Sequence, residues 1–125
     1  VNVGTDQLWR ILQDNVAEIK FARRTPKPGK EGTRRMICTN SQHLLNSIDG
    51  RMTLNFSPPR RYPRYDPRKK NLIITWDILM QNFRTINMNA CNLMQVIPAN
   101  EMFWKYFKER LAPMTQNDKT NYMDI

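Results

Sequence analysis

Ser57 to Lys70 holds four prolines and six cations, and no other stretch limits the possible folds so strongly. Proline lacks a backbone N–H and fixes φ, so a segment this rich in it cannot be a central strand. It reads as a long exposed loop. Any sheet must then be assembled from short strands on either side of it.

Ahead of the loop, Thr5 or Asp6 can cap a helix to about Gln13, with Leu8, Ile11 and Leu12 on one face and Trp9 beside them. The period then changes to two. Ala17, Ile19 and Phe21 fall on one face and Glu18, Lys20 and Ala22 on the other, as in a half-buried strand. Thr25 to Gly32 is a Pro/Gly-rich turn, and Arg34 to Thr39 returns as the second strand of a hairpin with a basic tip. Ser41 to Ile48 reads as one or two helical turns, and Asp49-Gly50 as a turn into a further alternating stretch of Met52, Leu54 and Phe56.

Beyond the loop, Asn71 to Leu79 is the strongest strand, dense in β-branched and aromatic residues. Met80 to Asn82 turns it, Phe83 to Asn87 pairs back, and Leu93 to Ile97 is a last short strand. Asn100 can cap a helix over Glu101 to Leu111 whose Phe103, Phe107 and Leu111 serve the core. Pro113 ends it, and Met114 to Ile125 reads as a polar tail without a core role. Five short strands with tight turns predict a mainly β fold, a small five-stranded barrel with an N-terminal and a C-terminal helix. The expected divisions are residues 1–15 as a helical lead-in, 16–97 as the barrel with the insertion at 57–70, and 98–125 as the C-terminal helix and tail.

The charge is unevenly placed. Of 20 Lys and Arg in 125 residues, seven lie in Lys20 to Arg35 and six in Arg60 to Lys70, each block with a single acid, Glu31 or Asp66. Single-sign blocks on loops create a local field that collects an acidic partner. The candidate binding residues are Arg23, Arg24, Lys27, Lys30 and Arg34 in the first block, and Arg60, Arg61, Tyr62, Arg64, Tyr65, Arg68, Lys69 and Lys70 in the second. Tyrosines set between cations suit single-stranded nucleic acid, because phosphates meet the cations while bases stack on the rings. The same composition suits a clamp on the acidic surface of a neighbouring protein subunit, with Arg forks on carboxylates.

Catalytic machinery is not expected. His43 is the sole histidine, no spacing of Cys, His, Asp or Glu forms a metal set, and no glycine-rich phosphate cradle is present, so neither metal nor cofactor is predicted. Asp77 reads as an acid that satisfies backbone donors or pairs with an arginine such as Arg84. Cys38 and Cys91 read as reduced core residues. No apolar run approaches the roughly 20 residues of a membrane-spanning helix. Val1 to Asp6 lacks the features of a secretory signal, and a location inside a cell or a virus particle is expected.

The segments Glu31 to Thr39, Leu72 to Ile78 and Phe83 to Asn87 carry a further hint. The first brings Gly32-Thr33, Arg34, Met36 and Cys38-Thr39, the second Trp76-Asp77-Ile78, and the third Arg84. Together they resemble a small family of Sm-like SH3 β-barrel proteins, sometimes labelled WYL-like, from tailed phages and other viruses. The likeness spans Val16 to Ile97. It implies a closed five-stranded barrel of viral origin with no catalytic set, and most of the matching residues would be structural. The N-terminal helix, the Ser57 to Lys70 insertion and the C-terminal helix are departures from that pattern. Two functions follow as expectations: a non-enzymatic viral β-barrel protein that binds nucleic acid through basic loops, or a minor structural protein of a virion that grips neighbouring subunits with the same loops and its termini.

Overall fold

The computed structural model describes residues 1–23, 25, 28–29 and 32–124. Five antiparallel strands, β1 (Asn15–Ala22), β2 (Thr33–Thr39), β3 (Leu72–Asp77), β4 (Asn82–Asn87) and β5 (Cys91–Pro98), form one sheet in the order β4-β3-β2-β1-β5. β1 lies between β2 and the edge strand β5, in register with β2 from Val16↔Thr39 to Ala22↔Thr33 and with β5 from Asn15↔Pro98 to Phe21↔Cys91, with a shift between Glu18 and Ile19. β2 and β3 pair at Cys38↔Asp77 and Thr39↔Trp76, so among the described residues the first half of β2 has no paired strand on that side.

The sheet is not closed into the expected barrel; the fold is mixed, one five-stranded antiparallel sheet with helices. The two strands that would have to meet, β4 and β5, are its edges. The free edge of β5 is already occupied: Val3 N donates to Cys91 O at 3.1 Å, and Leu93 N donates to Val1 O at 2.8 Å. The N-terminal residues thus take groups that a closing strand would need, and they shield that stretch of edge.

Each face of the sheet carries a core. On one side Leu8 and Leu12 of α1 (Thr5–Asp14) pack with Ala17, Ile19, Met36, Cys38, Ile73 and Ile86. On the other, Val16, Ile37, Trp76 and Ile97 meet Leu44, Leu45, Leu54, Phe56, Phe103 and Leu111. Burial of both Val16 and Ala17 makes the start of β1 covered on two faces rather than half-buried. Cys38 and Cys91 are free thiols in the core, as expected. Burial pushes the Cys38 thiol far up and the Cys91 thiol up to about 11.

Three local expectations are corrected. The α1 N-cap is Gly4, not Thr5 or Asp6, and Thr5 Oγ1 instead donates to Asn71 Oδ1. Residues after Ser47 form a helix, α3 (Ile48–Thr53), and not an alternating strand. The reason is local: Ser47 Oγ accepts from Gly50 N at 2.9 Å as a cap, as Ser41 does for α2 (Gln42–Leu45). Gly50 then lies against α2 so closely that a Cβ would stand 2.1 Å from Leu44 O. Asn55, at φ 56°, turns the chain out of the helix in the left-handed region that Asn tolerates.

The third correction concerns the C-terminus. α4 (Glu101–Tyr106), capped by Asn100 as expected, widens to a π-turn over Phe107–Leu111 and ends at Pro113. The segment read as a polar tail forms α5 (Gln116–Asp124), which packs on β2. Tyr122 Oη donates to Glu18 Oε2 at 2.6 Å, and Arg35 lies 5.2 Å from the Tyr122 ring centroid. Burial first, and then the bond to Glu18, push the Tyr122 hydroxyl well above the ordinary tyrosine range. A weakly amphipathic helix docks here through polar pairs and one ring, which hydrophobic periodicity does not register.

Candidate functional site

The proline-rich segment is tied down at both ends. Phe56 is buried in an edge-to-face trio with Trp76 and Phe83, with ring centroids 5.0 to 5.9 Å apart. At the far end Asp66 caps a 3₁₀ turn over Pro67–Lys70, its Oδ1 accepting from Arg68 N at 3.1 Å. The Arg68 guanidinium lies over the Trp9 ring at 4.1 Å from the centroid, fixing the loop to α1.

Between these anchors the loop arches over a cavity of about 380 Å³. Trp9, Phe56, Tyr62 and Phe83 contribute aromatic rings to its walls, Pro58, Pro59, Pro63 and Pro67 line the loop side, and Arg61 stands among them. That size lies at the small end of ligand cavities, roughly 300–1,000 Å³. Asn40 also lines it. Asn40 Nδ2 donates to Ile74 O at 3.0 Å, which sets the amide orientation and leaves Oδ1 buried without a donor among the described residues.

Of the second block of predicted binding residues, Arg61 and Tyr62 line this cavity. Arg60, Arg61, Tyr62, Arg64, Lys69 and Lys70 are exposed. Tyr62 is 76 % exposed although it borders the cavity, so its ring is open to a partner. Tyr65 is also exposed, with the Lys70 Nζ 4.4 Å from its ring centroid. Arg68 is half-buried on Trp9 and acts as a fastening of the loop.

The first block behaves differently. Arg24, Lys27 and Lys30 lie outside the described residues. Arg23 pairs with Asp124 of α5, and Arg34 Nη2 donates to Asp77 Oδ2 at 2.7 Å. Arg34 is thus the partner of Asp77, in place of Arg84, while Asp77 Oδ1 accepts from Met80 N at 3.1 Å. Burial raises the Asp77 carboxyl above its ordinary value, opposed by the Met80 N–H and by Arg34 and Arg84. Arg23 and Arg34 are thus each engaged in an ion pair, one with α5 and the other with the end of β3.

Sequence reasoning missed Trp9, Asn40 and Phe83 as cavity residues. Trp9 stood beside the apolar stripe of α1, the one available signal that its ring serves something other than the core. His43 is exposed on α2, and among the described residues no cluster of three or more His, Cys, Asp or Glu could hold a metal. No described helix is long and apolar enough to cross a membrane. No protein-family model, curated protein or solved structure matches the chain. Of the residues on which the expectation of a viral barrel family rests, Met36, Cys38 and Trp76 are core, and Arg34 and Asp77 form an ion pair.

Proposed function

We propose that this chain is a small non-enzymatic binding module that takes single-stranded nucleic acid along the Ser57 to Lys70 loop. The carrying observation is that exposed Tyr62 and Arg61 border one cavity with Trp9 and Phe83, while Arg60, Arg64 and Lys69 of the same loop are exposed to solvent. Phosphates meet the outer cations, and a base enters between rings that have no sequence preference of their own. Proline keeps the loop extended and lowers the ordering entropy of binding.

The strand order and the 3₁₀ turn of Met88–Ala90 between β4 and β5 support a reading of the sheet as an unclosed relative of the Sm-like SH3 barrel. A viral source is part of that reading. Photo-crosslinking with a thiouridine-substituted oligonucleotide, followed by peptide mapping, tests the function. Adducts on Trp9 or Tyr62 are expected, and adducts spread evenly over the basic residues would count against it.

A second reading, a minor structural protein in contact with neighbouring subunits, is favoured by one feature. Met94, Val96 and Met102 are 52 %, 42 % and 57 % exposed, on β5 and the adjoining helix. Chemical cross-linking at these positions within assembled particles separates it from the first.

A further inference from the structure

A second cavity, of about 280 Å³, lies where the unpaired half of β2 meets β4 and the end of α5. Arg23, Arg34 and Arg84 all line it, with Gln116, Thr120 and Asp124. Asp77 and Asp124 pair with Arg34 and Arg23, so among the described residues the three guanidiniums of the cluster meet two carboxylates. The Arg23 side chain is only 9 % exposed, and the buried Nε–H groups of both Arg23 and Arg84 have no acceptor among the described residues. A buried guanidinium donor left unanswered is costly, and charge-assisted bonds to an anion are the strongest available remedy.

We propose that Arg23, Arg34 and Arg84 form a binding site for a tetrahedral phosphate oxyanion, either inorganic phosphate or the phosphate of a monoester. Phosphate suits the site better than a carboxylate. Its oxygens point in several directions and can accept from more than one arginine at once, whereas a carboxylate fills a single planar fork. The site is separate from the aromatic cavity under the loop, shares no lining residue with it, and stands whether or not that loop takes nucleic acid.

The test is a titration of the full chain with inorganic phosphate, methyl phosphate, acetate and chloride at matched ionic strength, read by thermal stability and by the arginine Nε–H resonances. Saturable stabilisation by phosphate with displaced Arg23 and Arg84 Nε–H signals is expected. Methyl phosphate binding as tightly as phosphate assigns the site to a monoester, and weaker binding assigns it to the free ion. Arg84 takes part in none of the ion pairs above, so Arg84→Gln should fold normally and bind phosphate about tenfold more weakly, with Arg84→Lys between the two. Phosphate acting no differently from chloride or acetate, or binding unchanged in Arg84→Gln, would overturn the proposal.

Discussion

The Arg68 guanidinium rests on the Trp9 indole, 4.1 Å from its centroid, and so joins the end of the proline-rich loop to the N-terminal helix. Trp9 therefore has two roles, as an anchor for the loop and as a wall of the cavity beneath it. Trp9→Ala should lower stability by about 1–3 kcal/mol, since the ring is only half-buried, and should weaken oligonucleotide binding. Trp9→Phe should recover most of the stability. Chemical denaturation with a parallel binding assay checks both; unchanged binding in a folded Trp9→Ala protein would remove Trp9 from the site.

Gly50 is fixed by space. A Cβ there would meet Leu44 O at 2.1 Å and Leu45 O at 2.6 Å, both backbone atoms that cannot yield without moving α2. Gly50→Ala should cost about 2–4 kcal/mol through forced separation of α2 and α3. A denaturation midpoint equal to that of the native chain would show that the two helices do not pack as described.

Much of the sheet was legible because strands announce themselves by alternation and branching. β1, β3 and β4 fall within two residues of their expected limits, and the basic loop lies where its prolines put it. What escaped was decided by contacts remote in sequence. Met52, Leu54 and Phe56 alternate like a strand, yet the Ser47 cap and the Gly50 contact with Leu44 make most of that stretch a helix. Met114 to Asp124 has only a weak apolar pattern, and contacts remote in sequence reveal its role, among them the Tyr122 bond to Glu18 and the Arg23 pair with Asp124, each more than a hundred residues apart. Barrel closure depends on which chain takes the β5 edge, and Val1 to Val3 carry no pattern that foretells it.

The Arg34–Asp77 pair is buried, with Asp77 1 % exposed. Asp77→Ala leaves an unanswered guanidinium and an unanswered Met80 N–H, and should cost about 3–5 kcal/mol. Replacing both partners, Arg34→Met with Asp77→Ala, should return part of that loss, because no lone buried charge remains. A double-mutant cycle measures it. Strict additivity of the two single changes would mean that the pair is not coupled.

Tyr122 keeps its proton in the folded chain well beyond the ordinary range, through burial and its bond to Glu18, while in the unfolded chain it ionises near pH 10. The folded state then binds more protons, so this contribution is complete below about pH 10 and is lost as pH rises further. As pH rises above about 10, the melting temperature should fall more steeply in the native chain than in Tyr122→Phe. Cys38 and Cys91 act in the same direction, so a residual slope should persist in the variant. Identical slopes in the two proteins would contradict the buried bond.

The central claim is that the Ser57 to Lys70 loop binds single-stranded nucleic acid, and the salt dependence of affinity tests it most directly. With Arg60, Arg61, Arg64 and Lys69 exposed on the loop, roughly four phosphate contacts predict a log–log slope of about −3 for a single strand. Changing those four residues to Ser should flatten the slope towards zero, whereas Arg23→Ser should leave it nearly unchanged because that charge is already paired with Asp124. No binding at low salt, or a slope that survives the fourfold change, would contradict the claim.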